Sequence, residues 1–201
     1  LAAQAFNFDH ERTRHTNWEQ LKQQGWSKLV MPEIPFAHGQ FSTPSGRCEF
    51  FSQQMREDGL DPLPTYIPPY ESPSSNPSLA VQYPLAMISP PARNFLNSTF
   101  VNVQSLRDTE GEPHLDMHPH DAATRGIAQG ERVRIFNDRG SFEAQVRLTD
   151  KARAGLVVGL SIWWKKFARD GKNVNELTSQ RTTDMGGGPT FYDVLVQVEK
   201  V

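Results

Sequence analysis

From Glu131 to Asp150 the sequence ERVRIFNDRGSFEAQVRLTD alternates apolar and polar residues on either side of NDRG, a pattern that specifies an antiparallel hairpin. Asn137 and Asp138 suit the turn, and Gly140 tolerates positive φ. Val133 and Ile135 on one arm, with Phe142, Ala144 and Val146 on the other, supply one apolar face that needs more sheet to cover it. Further short runs provide that sheet: YPLAMIS after Leu79, then GLVVGLS, then FYDVLVQVEKV. One or two short helices join these runs without regular strand–helix alternation. The arrangement they predict is a small closed or nearly closed barrel.

The part before the barrel reads differently. HTNWEQLKQQG predicts a short amphipathic helix, capped by Thr16 or Asn17, with Trp18 and Leu21 on one side and Gly25 as its stop. PEIPFAHGQFSTPSGRCEFFS is broken by Pro and Gly and predicts a loop that ends in a short strand at RCEFFS. Between Asp61 and Pro77 the six prolines of DPLPTYIPPYESPSSNP exclude a helix or a strand ladder, so this stretch runs extended as a strap or linker. Residues 1–78 are therefore expected to form an irregular, Pro-rich segment leading in from a preceding part of a longer protein, and residues 79–201 to form the barrel domain. Leu1 in place of a start methionine agrees with a cut piece.

Size and charge narrow the function. A chain of 201 residues, 37% of them hydrophobic, can bury one ordinary core and a small satellite. A formal net charge of −2 without a basic run argues against a nucleic-acid partner. No apolar run approaches the ~18–20 residues of a membrane span. The single cysteine, Cys48, excludes an internal disulfide and a CxxC metal site within these residues.

Asp116, His118, His120 and Asp121 in DMHPHD are all metal-ligating residue types. Zinc requires three or four ligands converging at about 2 Å, whereas His118, His120 and Asp121 straddle a proline and a helix's first turn, so their side chains diverge. Pro119 and Asp121 suit that first turn, and Gly126 is a stop. The segment reads as a capped helix start rather than a metal site or a metal hydrolase centre.

Four segments in order carry a resemblance: YPLAMISPPARNFLNSTFVN, then HPHDAATRGIAQGERVRIFNDRGSF with LTDKARAGLVV, then NVNELTS, then GGGPTFYDVLVQVE. Together they are similar to the C-terminal dinucleotide-binding domain of the molybdopterin oxidoreductases, the group that includes dimethyl sulfoxide reductase, formate dehydrogenase and nitrate reductase catalytic chains. The resemblance runs from Tyr83 to Val201. WEQLKQQGW and FSTPSGRCEFFS also resemble the segment leading into that domain.

The resemblance implies a mainly β fold with short helices: a six-stranded double-psi β-barrel preceded by an irregular segment, with loops at one end covering a molybdopterin guanine dinucleotide. Such a ligand calls for uncharged hydrogen-bonding side chains, backbone amides and a few cations. In ARNFLNSTFVN it points to Asn97, Ser98, Thr99 and Asn102, with Arg93 for a phosphate or a pterin carbonyl. In NVNELTS it points to Asn175 and Thr178, and Tyr192 stands where many relatives carry a longer polar or basic residue. The glycines of MGGGPTF offer close backbone approach or a flexible linker. Trp163 and Trp164 divide between stacking on the ligand and one core plus one surface aromatic, Asp184 between a guanine edge and solvent, and Lys165 and Lys166 belong to the surface.

No residue here is assigned to catalysis or to metal binding. The molybdenum ligand and the cysteines of an iron–sulfur cluster, where one is present, belong to parts preceding Leu1. The implied cofactor is bis(molybdopterin guanine dinucleotide) with Mo or W. The implied partners are that cofactor and the remaining domains of a parent catalysing two-electron redox or oxygen-atom transfer, cytoplasmic rather than periplasmic. The alternative is a stand-alone, non-catalytic barrel subunit that binds a partner chain.

Overall fold

The computed structural model describes Gln4, residues 6–160 and residues 162–201. The chain divides into two compact units, Leu1–Tyr66 and Ile67–Val201.

In the first unit, helix α1 (Trp18–Gln24) starts where Asn17 accepts the Glu19 and Gln20 amides at 2.9 and 3.2 Å, and stops at Gly25 in the left-handed region. Helix α2 (Gln53–Glu57) is capped by the Ser52 hydroxyl. The expected strand at RCEFFS does not form. Alternation makes a strand only beside another strand, and among the described residues this unit holds none. Phe50 is instead 77% exposed, and no described residue before Leu85 is buried.

The second unit begins with the proline-rich residues, which form neither helix nor ladder until Pro77 opens helix α3 (Pro77–Gln82), capped by Asn76. Six strands follow: β1 (Leu85–Ile88), β2 (His114–Met117), β3 (Arg132–Phe136), β4 (Ser141–Leu148), β5 (Leu156–Gly159) and β6 (Val194–Lys200). They close in the order β1-β5-β2-β4-β3-β6, the six-stranded double-psi barrel. The β1–β5 and β2–β4 pairs are parallel and the other four antiparallel. Two further helices, α4 (Gln104–Glu110) and α5 (Pro119–Ala123), lie in the connections flanking β2.

The expected hairpin is β3–β4, with Phe136 opposite Ser141 and the Asn137 amide donating to the Gly140 carbonyl at 3.1 Å. Gly140 itself is not at positive φ. A glycine is required there by space, because a Cβ would lie 3.0 Å from the Glu176 carbonyl oxygen. Strand β2 was not among the expected runs. Its His-Leu-Asp-Met sequence alternates, with Leu115 and Met117 inward and His114 and Asp116 outward. Asp116 there receives both arms of the Arg147 guanidinium, at 2.6 and 2.8 Å, across the parallel pair.

Inward side chains from all six strands, among them Met87, Leu115, Val133, Ile135, Ala144, Val146, Val157 and Val196, fill the barrel. A satellite core of Ala92, Phe95, Val101 and Trp163 supports the loops at one end. Strand directions fix which loops share that end. The C-terminal ends of β1, β3 and β5 and the starts of β2, β4 and β6 meet there, so connections 89–113, 137–140 and 160–193 all emerge together. Connections 118–131 and 149–155 lie at the other end.

Candidate functional site

At the end bearing the long connections, a cleft of about 500 Å³ opens between connections 89–113 and 160–193. Ser89, Pro91 and Asn97 come from the first; Ile162, Asn175, Thr178, Pro189, Phe191 and Tyr192 come from the second. Among the described residues, the lining holds no charged side chain.

Local chemistry presents each polar group. Leu96 and Thr99 exchange two backbone hydrogen bonds, 3.1 and 2.8 Å, so Asn97 and Ser98 form the tip of a tight turn. Asn97 takes φ 51° there, which its short amide side chain tolerates. The Trp164 indole N–H anchors the tip by donating to the Ser98 carbonyl at 2.9 Å. On the opposite wall, a single 3-10 turn (Val174–Leu177) is pinned by buried Val174 and Leu177. Asn173 satisfies this turn: its side-chain Oδ1 accepts the Asn175 amide at 3.1 Å and its side-chain NH₂ donates to the Trp163 carbonyl at 3.1 Å. That division of labour leaves the Asn175 side chain without a hydrogen bond to any described residue. The Thr178 hydroxyl donates to the Asn175 carbonyl at 3.1 Å and keeps its acceptor capacity. Phe191 and Tyr192 meet edge to face, centroids 4.5 Å apart, and wall the cleft beside the start of β6.

Of the eight residues singled out from the sequence, Asn97, Asn175, Thr178 and Tyr192 line this cleft. Arg93, Ser98, Thr99 and Asn102 stand on the same connection, exposed, outside the lining. Arg93 forms no ion pair or hydrogen bond with a described residue. The sequence reading missed Ser89, Pro91, Ile162, Pro189 and Phe191. Ser89 and Pro91 directly follow the apolar run of β1, a signal that they sit at a strand end.

The remaining candidates lie elsewhere. Trp163 belongs to the satellite core against Phe95, centroids 5.1 Å apart, and Trp164 is half-buried with Lys166 over its ring. Lys165 pairs with Glu176. The Gly187 and Gly188 amides are taken by Thr183, through its carbonyl and hydroxyl oxygens at 3.2 and 3.0 Å, so the glycine loop closes on itself. Asp184 accepts the Met185 amide at 2.8 Å and borders a different hollow with Tyr70 and Asp193. The His/Asp cluster lies at the opposite end of the barrel. His118 caps α5, its Nδ1 accepting the His120 amide at 3.1 Å, and Asp121 accepts the Gly155 amide at 2.7 Å. Among the described residues, no three His, Cys, Asp or Glu side chains form a group able to hold a metal ion.

The fold is a closed barrel whose long-connection end carries a cleft lined, among the described residues, by apolar and uncharged hydrogen-bonding side chains. Residues 85–195 match the family described as the molydopterin dinucleotide binding domain. The chain belongs to that family. It is 35% identical over 193 residues to the "Probable oxidoreductase YoaE" of Bacillus subtilis (strain 168), covering 96% of this chain and 27% of the relative. It is also 35% identical over 174 residues to "Dimethyl sulfoxide reductase DmsA" of Escherichia coli (strain K12), covering 80% and 21%. The fold matches acetylene hydratase from Pelobacter acetylenicus at a TM-score of 0.74 and 22% identity, over 94% of this chain and 28% of that one. The chain thus spans about a quarter of the length of these relatives, and binding a molybdopterin dinucleotide is what its family does.

Proposed function

We propose that the cleft takes a heterocyclic end of the molybdopterin dinucleotide in its guanine form. One observation carries this reading: the side-chain amide of Asn175, which bonds no described residue, the Thr178 hydroxyl and the Asn97 and Tyr192 side chains border a cleft whose described walls are apolar and uncharged. A flat ring edged with donors and acceptors matches both properties, since its faces want apolar walls and its edge wants groups that both give and accept. Asn97, Asn175, Thr178 and Tyr192 would hold the ring. Arg93 suits a phosphate of the same ligand outside the cleft, with Ser98, Thr99 and Asn102 as neutral donors near it.

When bound, the cofactor supplies two-electron redox chemistry at molybdenum or tungsten, in the bis(guanine dinucleotide) form. This chain binds and orients it as the C-terminal part of an oxidoreductase, cytoplasmic in location, whose preceding domains provide the metal ligand and any iron–sulfur cluster. The match over 96% of the chain, lead-in residues included, supports a part of a longer protein over a separate barrel subunit.

The test is Asn175→Ala in the longest native form of the protein, with metal, pterin and released guanine nucleotide measured together. We expect less cofactor per chain and an unchanged barrel by circular dichroism. Full metal and pterin content in that variant would end the assignment of this cleft.

A further inference from the structure

The turn that presents Asn175 is held from outside the cleft. The Leu177 carbonyl accepts two side-chain donors from the β3–β4 hairpin, Arg139 Nε at 2.8 Å and Asn137 Nδ2 at 3.0 Å. Asn137 fixes its neighbour in turn, its side-chain oxygen accepting the Arg139 amide at 3.0 Å. The two remaining guanidinium arms of Arg139 meet both oxygens of Glu71, at 2.6 and 3.0 Å. Glu71 lies on the proline-rich strap, and its side chain is only 9% exposed.

The same carboxylate reaches the other wall of the cleft. Glu71 Oε2 also accepts the Leu195 amide at 3.0 Å, at the start of β6 just after Tyr192. The Tyr70 amide donates to Asp193 at 3.2 Å alongside it. The strap is built to deliver this group. Pro68, Pro69 and Pro73 restrict its backbone, and the Ser75 hydroxyl folds it back onto the Pro69 and Tyr70 carbonyls. A half-buried bidentate pair is geometrically specific, because the planar guanidinium can satisfy Glu71 and Leu177 together in only one orientation.

We propose that Glu71 and Arg139 are positioning residues for the cofactor cleft. Glu71 orients the guanidinium, Arg139 holds the Leu177 carbonyl, and the turn so fixed sets where Asn175 and Thr178 meet the ligand, while the Glu71–Leu195 bond sets the Tyr192 wall. The inference rests on the reading of the cleft given above. It adds a function for the strap, which has no residue in the cleft lining.

The experiment uses the full-length holoprotein and follows the rate at which pterin is released on dilution, together with the melting temperature. Arg139→Lys keeps a cation for Glu71 but lacks the planar Nε–H that reaches Leu177, and Glu71→Gln keeps the shape but loses the charge. Each should release cofactor about fivefold faster, as expected for the net loss of one typical hydrogen bond, with the melting temperature nearly unchanged. Asn175→Ala is run beside them. If Asn175→Ala releases faster and Arg139→Lys and Glu71→Gln do not, the positioning role is overturned while the cleft assignment stands. If none of the three changes release, the cleft assignment itself fails. Faster release only in proportion to a lowered melting temperature in both Arg139→Lys and Glu71→Gln also overturns the proposal, since it would mean that the pair merely stabilises the fold.

Discussion

A methyl group added at Gly140 would press directly on the turn that carries Asn175. Because Gly140 is not at positive φ, Gly140→Ala avoids the left-handed penalty, and its cost is one of contact. The new Cβ would stand 3.0 Å from the Glu176 carbonyl oxygen and 3.2 Å from the Glu176 Cβ, atoms at or next to the backbone that cannot swing aside. Relief therefore requires the 3-10 turn to move by a few tenths of an ångström. Overpacking of this kind costs about 1–3 kcal/mol, and the stiffer unfolded chain of an alanine variant offsets about 0.4–1 kcal/mol of it. The net destabilisation centres near about 1.3 kcal/mol, or roughly a 3–5 °C fall in melting temperature for a chain of this size. Calorimetry on the 201-residue chain measures that fall, and pterin content of the full-length holoprotein reads the displaced turn. A variant that melts at or above the wild-type temperature and holds its full complement of cofactor would refute the argument.

Other substitutions separate the barrel from the cleft. Leu115→Ala empties a fully buried position of β2 and should cost about 2–5 kcal/mol in urea unfolding. Asp121→Ala removes the acceptor for the Gly155 amide, at 2.7 Å, at the end away from the cleft; it should cost about 1–2 kcal/mol and leave cofactor content unchanged. A drop in cofactor in that variant would mean that both barrel ends take part in binding. Stability should also fall in acid. The Lys200 hydrogen bond, with the Ala128 amide, holds the Glu131 carboxyl below the ordinary glutamate value. Its folded value lies below its unfolded one, so its contribution is present at neutral pH and is lost as pH falls below roughly 4.3 through the folded value. Melting measured across that range should slope less in Glu131→Gln.

The barrel was legible where alternation was long. The β3–β4 hairpin has both arms and its turn written in consecutive residues, and β1, β5 and β6 follow runs of apolar residues. Strand β2 was obscured by brevity: its four residues, half of them polar, run directly into the stretch from His118 that reads as a capped helix start. RCEFFS failed in the opposite sense, since its pattern is a strand's but among the described residues its unit holds no strand to pair with it. At the cleft, sequence singled out residues on the two connections that border it without resolving which side chains point inward. In ARNFLNSTFVN that depends on the two-residue turn between Leu96 and Thr99, which sends Asn97 to the cleft and engages Ser98 through its carbonyl. In NVNELTS it depends on Asn173, not Asn175, satisfying the turn. The Glu71–Arg139 pair joins residues far apart in sequence, and nothing in the sequence near either one announces the other.

The place of β6 has a consequence for biosynthesis. Val194–Lys200 is the strand that pairs with both β1 and β3, so a nascent chain that has already made the other five still carries two open edges. Those edges expose unpaired amides and carbonyls until the ribosome has released these residues, a state prone to pairing with other chains. The β1–β5 contact likewise joins segments distant along the chain, which slows closure further. Closure of the barrel must then wait until Val194–Lys200 has emerged, and a premature stop before Val194 would leave both edges open and yield an aggregating chain.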